Sequence, residues 1–206
     1  VRIHLRTSGF SALPSLATSV AVALGQVNSH QSAMLAAALA MTFLQPASLP
    51  DLGIIPAPKH IERKTGEWIL PKRLTLSFAQ VQNGDEKDLS SLARQLLSRP
   101  VTKTAAEADL AFEVDKELGG SEAYTLDVKP NGATIKAGSE RGLFWGLQSL
   151  ATITTLGKTP SVYIQDSPRF AWRGAMIDDC RHFMGVKTVK QFIDVMARFK
   201  LNTLHW

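Results

Sequence analysis

Cysteine is almost missing from this 206-residue chain, which carries only Cys180. One thiol excludes an internal disulfide and a cysteine-based zinc site. Beside a short apolar run, Cys180 reads as a small filler rather than a catalytic thiol. Acidic residues are missing from the first fifty positions, where Arg2 and Arg6 stand alone and the first carboxylate is Asp51. The chain has no HExxH pair, no GxGxxG after a strand and no GxxxxGK[ST] loop, so no motif points to a metal, a dinucleotide or a nucleotide. No lysine–arginine cluster alternates with aromatics. The formal charge of +5 therefore reads as a mildly basic surface, and no nucleic-acid partner is expected. No apolar run reaches the ~20 residues that span a bilayer, so no membrane span is expected either.

What the first fifty residues do contain is two apolar runs, Ser11 to Gly25 and Ala33 to Leu44. The first follows two arginines and ends in Ala23-Leu24-Gly25, which fits the small residues of a signal-peptidase site. The second would be the signal core if translation began at Met34. A serine-rich, acid-free composition also leaves an organelle transit peptide open. Residues 1–50 are read as a targeting-like or disordered segment outside the fold. Export to a periplasmic, secreted or lysosome-like compartment is expected.

From Asp51 the character changes. Ile54-Ile55-Pro56-Ala57-Pro58 makes a rigid extended lead-in. Short strands are expected at Glu67 to Leu70, Arg73 to Phe78, Ala108 to Val114, Glu122 to Val128 and Ala133 to Ala137, from their alternation of apolar and polar residues. Pro130-Asn131-Gly132 has the chemistry of a hairpin turn. Helices are expected over Asp88 to Ser98, and after Ser139 as N-cap, where Leu143, Leu147 and Leu150 share a face. Gly142 and Gly146 fall inside that second helix. A helix glycine costs ~1 kcal/mol against alanine, so close packing on the sheet is the expected reason for both. Residues 51–160 thus read as an α+β domain with a mostly antiparallel sheet and two helices.

The last forty residues, 167–206, follow a different plan. Arg173 to Asp178 is a buried-strand run; Val189, Phe192, Ile193, Met196 and Phe199 recur at helical spacing; Asn202 marks a turn; and Thr203 begins another strand. A β-α-β unit needs neighbours to bury its faces. The sequence therefore reads as ending inside a domain.

These residues carry a resemblance. Ile55-Pro56-Ala57-Pro58, and Ala137-Gly138-Ser139 running into Gly142-Leu143-Phe144-Trp145-Gly146-Leu147-Gln148-Ser149-Leu150, resemble the leading α+β domain of family 20 glycoside hydrolases, the β-N-acetylhexosaminidases. Asp166-Ser167-Pro168-Arg169-Phe170, Trp172-Arg173-Gly174, Asp178, Arg181-His182-Phe183 and Lys200-Leu201-Asn202-Thr203-Leu204-His205-Trp206 resemble the opening of that family's catalytic barrel. The resemblance implies that the β-α-β unit is the first part of an incomplete (β/α)₈ TIM barrel, a fold of ~250 residues.

It also implies a chemistry. Such enzymes remove terminal N-acetylglucosamine or N-acetylgalactosamine with retention, using the substrate's own acetamido oxygen as nucleophile, with no metal or organic cofactor. The expected partners are N-acetylhexosamine-terminated glycans or chito-oligosaccharides. The catalytic aspartate–glutamate pair lies on a later strand in that family, so no catalytic residue is assigned here and the 206 residues alone are expected to be inactive. Arg173 matches the arginine that binds the sugar's outer hydroxyls; the competing reading is an ion pair at a strand end. Asp178, Arg181 and His182 are read as groups supporting the pocket, or as a buried polar network locking the first loop. Asp179 and Cys180 depart from the family pattern, which has an apolar or small residue and a serine or threonine there. His205 and Trp206 are given a core role. Two other readings stay open: a non-catalytic truncated product, and a related hydrolase, such as an α-glucuronidase, sharing the leading domain.

Overall fold

Alternating side chains give the sheet one apolar face. The computed structural model describes residues 52–104 and 106–206; the targeting-like segment lies outside the described residues. Strands β1 (His60–Ile69), β2 (Leu74–Ala79), β3 (Val101–Lys103), β4 (Leu110–Val114), β5 (Tyr124–Lys129), β6 (Gly132–Ala137) and β7 (Lys158–Asp166) form a seven-stranded sheet in the order β1-β7-β5-β6-β4-β2-β3. Leu74, Leu76, Leu110, Phe112, Leu126, Val128 and Ile135 point to one face and are buried. There they meet Leu89, Ala93 and Leu97 of α1 (Asn83–Leu97) and Leu143, Leu147 and Leu150 of α2 (Glu140–Ile153). The other face carries charged pairs such as Lys64–Asp127 and Lys136–Glu113, as expected for a sheet covered on one side.

The expectation of a mostly antiparallel sheet is corrected. The β1–β7, β7–β5 and β5–β6 pairings are antiparallel, but β6–β4, β4–β2 and β2–β3 are parallel. Alternation fixes which face a residue occupies and says nothing about strand direction. Direction comes from the connections: α1 carries the chain over the sheet and returns β3 parallel to β2. Helix α1 also starts earlier than the expected Asp88, with Asn83-Gly84-Asp85 in its first turn. Asp85 and Glu86 there favour the helix N-terminus electrostatically.

Several local expectations hold. Pro130 and Asn131 form the two-residue turn between β5 and β6, whose last pair is Lys129 with Gly132. Ser139 is the N-cap of α2: its Oγ accepts from the Arg141 N–H at 3.3 Å and donates to the Ser121 carbonyl. Ser139→Ala is therefore expected to cost about 1 kcal/mol, measurable as a lower midpoint in thermal unfolding. Gly142 and Gly146 pack directly on the sheet: an added Cβ would lie 2.4 Å from the Ala123 carbonyl oxygen and 2.5 Å from Ile135 Cγ2, respectively.

The chain then leaves the sheet for a second unit. Strand β8 (Gly174–Met176), helix α3 (Val186–Arg198) and strand β9 (Thr203–His205) make the expected β-α-β arrangement, with β8 and β9 parallel and paired Gly174 to Thr203. Val189 and Met196 of α3 are buried, Phe192 is half-buried, and Ile193 and Phe199 are exposed. Among the described residues, no helix is long and apolar enough to cross a membrane.

Candidate functional site

The two short parallel strands have two ends, and the residues singled out from sequence divide between them. Arg173 immediately precedes β8, where its backbone fastens the start of β9: its carbonyl accepts from the Asn202 N–H at 2.8 Å, and its N–H donates to Asn202 Oδ1 at 3.0 Å. The Asn202 amide completes the staple by donating to the Ala171 carbonyl at 2.8 Å and to Glu122 Oε1 at 3.3 Å.

The Arg173 guanidinium turns toward the seven-stranded sheet. Its Nη2 pairs with Glu122 Oε2 at 2.6 Å, Nε donates to the Lys200 carbonyl at 2.7 Å and Nη1 to the Phe170 carbonyl at 2.7 Å. Its carbon centre lies 5.7 Å from the Trp145 ring. The arginine and glutamate side chains are each only 12% exposed. A guanidinium has five N–H donors; these three bonds leave one on each terminal nitrogen among the described residues.

Lys200 is the second anchor, and the sequence reading gave it no role. Helix α3 ends in a Schellman turn: the Lys200 N–H donates to the Ala197 carbonyl and the Leu201 N–H to the Met196 carbonyl. Lys200 takes the left-handed position, φ +57°, where glycine is usual. Its side chain is buried, and Nζ donates to Asp166 Oδ2 at 2.7 Å and to Tyr124 Oη at 2.8 Å. Tyr124 Oη also meets Ser149 Oγ at 2.7 Å. Burial holds the Lys200 ammonium below its ordinary pKa, opposed by Asp166. Burial likewise pushes the Tyr124 phenol up, and the Asp166 charge adds to it. Together Tyr124, Trp145, Asp166, Phe170, Arg173 and Lys200 line a cleft of about 530 Å³.

The opposite end of the strands is open. Asp178 is exposed, and the Cys180 N–H, donating to Oδ1 at 2.9 Å, holds its carboxyl below the ordinary range. Cys180 is exposed rather than a buried filler. Arg181 and His182 are exposed and make no hydrogen bond or ion pair among the described residues, so no buried network locks this loop. Five residue steps of near-extended chain lead from Arg173 to Asp178, on the order of 15 Å. The structure does not bring Asp178, Arg181 or His182 to Arg173. Asp179 does find a partner, accepting from Trp206 Nε1 at 2.7 Å while Trp206 stacks on Phe183. His205 and Trp206 are exposed, not core: a two-stranded sheet leaves their side chains uncovered.

Comparison with known proteins fits this division. Residues 51–167 match the family model described as glycosyl hydrolase family 20, domain 2, and residues 170–206 match glycosyl hydrolase family 20, catalytic domain. The chain belongs to glycosyl hydrolase family 20. Within the family, a β-N-acetylhexosaminidase of Cellulomonas fimi is 32% identical over 173 residues, covering 76% of this chain and 34% of that protein. A Bacteroides fragilis β-N-acetylhexosaminidase structure superimposes with a TM-score of 0.69 at 29% identity, over 76% of this chain and 33% of that one. A Streptomyces plicatus N-acetyl-β-hexosaminidase in complex with Thio-NAglucal gives 0.66 at 30% identity, over 74% and 33%. The chain spans 18–34% of the length of the first three curated relatives it matches.

Proposed function

We propose that this polypeptide supplies the leading domain and the opening of the catalytic (β/α)₈ barrel of a β-N-acetylhexosaminidase. The observation that carries this reading is the succession of the two family 20 matches along one chain, with the second falling on a parallel β-α-β unit. Relatives named β-hexosaminidase, β-N-acetylhexosaminidase and N,N'-diacetylchitobiase support N-acetylhexosamine-terminated glycans or chito-oligosaccharides as substrates.

The chemistry proposed is substrate-assisted retention. The 2-acetamido oxygen attacks the anomeric carbon as a carboxylic acid protonates the departing glycosidic oxygen, and a neighbouring carboxylate stabilises the charge developing on the acetamido group. Water then opens the cyclic intermediate with the same stereochemistry as the substrate. In the family the aspartate–glutamate pair with these two roles lies on a later strand, so neither role is assigned to a residue of this chain. Arg173 is assigned to the sugar's outer hydroxyls. Its place in Trp172-Arg173-Gly174 supports this; its position at the start of β8 and its ion pair with Glu122 support the competing reading, an ion pair at a strand end. Asp178, at the C-terminal end of β8 where barrel sites open, is assigned with Arg181 and His182 to the surround of that mouth.

The purified 206-residue chain is expected to show no turnover of a chromogenic N-acetyl-β-glucosaminide, and measurable hydrolysis would overturn the division of labour proposed here. A hybrid, in which residues 51–206 precede the remaining barrel of the Cellulomonas fimi relative, is expected to be active. In that hybrid Arg173→Ala should lower kcat/KM by about a hundredfold; unchanged kinetics would remove Arg173 from the site. Export is proposed from the composition of residues 1–50. It predicts that protein recovered outside the cytoplasm has an N-terminus between positions 25 and 51, and an intact leader there would refute it.

A further inference from the structure

We propose that the end of the leading domain remote from the barrel unit is a docking surface for an anionic lipid bilayer, with Leu156 as the inserted side chain. The starting point is a leucine that the fold does not use. Thr155 and Lys158 exchange both backbone hydrogen bonds, at 2.8 and 3.0 Å, across the two-residue turn Leu156-Gly157. Both central residues have positive φ, +53° and +78°. Such a turn favours asparagine, aspartate or glycine at its first position, and a leucine there is strained. Burial does not offset the strain, because Leu156 is 98% exposed.

Neighbouring segments widen the apolar tip and surround it with cations. Lys158 is the register partner of Ile69, itself 65% exposed, and the Gly157 carbonyl accepts from the Leu70 N–H at 2.8 Å. Lys72 and Arg73 follow at once, and the Leu74 N–H then donates to the Pro100 carbonyl, beside Arg99. Arg99 reaches back over Gly157, where an added Cβ would meet its Nη2 at 2.8 Å. Of these four cations only Lys158 has a carboxylate partner among the described residues, Glu67 at 2.9 Å. The surface thus joins a protruding apolar tip to three uncompensated positive charges. That combination matches a bilayer with anionic headgroups, where apolar side chains enter the interface and lysine and arginine stay at headgroup level. A convex turn tip suits a fluid interface, which needs no complementary pocket.

The position of the turn keeps this surface clear of the barrel unit. Strand β7 runs from Lys158, beside the turn, to Asp166, which accepts from Lys200 of the barrel unit. Eight steps of extended chain place the turn on the order of 25 Å from that contact. The exposed Val195 of α3 belongs to the barrel unit and serves as an internal control.

The test reads the turn within the full 206-residue chain. Hydroxyl-radical footprinting with peptide mass spectrometry compares vesicles of phosphatidylcholine with vesicles that also contain phosphatidylglycerol. Oxidation of Leu156 is expected to fall severalfold on the anionic vesicles, with Val195 unchanged, and added salt should weaken the protection by screening the charges. Leu156→Asn suits the turn and removes the apolar tip, so two effects of opposite sign are expected. The thermal midpoint should rise by about 2–4 °C, while binding to anionic vesicles should fall about tenfold, the transfer preference of one leucine. A folding defect cannot produce that pair. An unprotected Leu156, or equal protection of Val195, overturns the inference, as does a Leu156→Asn variant that binds vesicles as tightly as wild type. Retention on immobilised polyglutamate without binding to vesicles would also overturn it, by assigning the basic surface to an acidic polypeptide.

Discussion

Lys200→Ala is expected to destabilise the fold by about 3 kcal/mol, a drop of roughly 6–12 °C in Tm for a unit of this size. Removing the ammonium leaves the Asp166 carboxylate, 13% exposed, beside the buried Tyr124 hydroxyl with its strongest donor gone. Loss of one partner of a buried ion pair typically costs 3–5 kcal/mol. The lower end applies because Asp166 keeps the Ser167 N–H at 2.9 Å and the Tyr124 hydroxyl at 3.3 Å. The backbone pulls the other way. Lys200 sits at φ +57°, where a residue with a Cβ is strained by about 1–2 kcal/mol relative to glycine. Lys200→Gly relieves that strain and loses the same ion pair. The expected order of stability is therefore wild type, then Lys200→Gly, then Lys200→Ala, with the glycine variant about 1–2 kcal/mol above the alanine one. A glycine variant more stable than wild type would mean that the ion pair contributes less than the turn strain it requires.

Gly142→Ala is expected to destabilise by about 2 kcal/mol, against the usual sign of that change in a helix. Helix propensity alone favours alanine by about 1 kcal/mol. The new Cβ, however, would sit 2.4 Å from the Ala123 carbonyl oxygen and 2.7 Å from Ala137 Cβ. That carbonyl cannot swing away freely, because it accepts the Gly138 N–H at 3.2 Å. Backbone displacement of this kind costs about 1–3 kcal/mol, more than the propensity returns. Gly146→Ala meets side chains instead, Ile135 Cγ2 at 2.5 Å and Tyr124 Cδ2 at 3.2 Å, so the cost there is smaller. Gly84→Ala, in the first turn of α1 with nothing within 4 Å, should be neutral to about 1 kcal/mol stabilising. Chemical denaturation of the three variants separates packing from propensity.

The same residues show what can be read from sequence. Inward Leu74, Leu110, Leu126 and Ile135 declare their strands because alternation is local. Gly142 and Gly146 declare a close contact because a helix carries glycine at a cost. Strand direction is not local, and three parallel pairings escaped notice for that reason. Strand β7 was hidden by Pro160, which ordinarily argues against a central strand. The structure admits it because β5 pairs only with Val162 to Asp166, leaving Pro160 opposite Glu67 of β1 beside the bulge. The charged sequence of β1 hid most of its length, and charge is how an edge strand avoids unwanted partners.

Arg173 was singled out by its motif, but its ion-pair partner Glu122 lies 51 residues earlier and looks like any solvated acid before a strand. Lys200 resembles an ordinary lysine near a helix end. Tyr124 offered the one usable signal: a phenol on the inward face of β5 must bring a polar partner with it. Asp178, Arg181 and His182 followed Arg173 in sequence, yet an extended strand carries neighbours in sequence apart in space.

The most direct test of the account compares two substrates in the hybrid enzyme: a chromogenic N-acetyl-β-glucosaminide and the matching β-glucoside, which lacks the acetamido group. Substrate-assisted chemistry requires that group as nucleophile, so the account predicts turnover of the first and a rate at least about a thousandfold lower for the second. Comparable hydrolysis of both would contradict it.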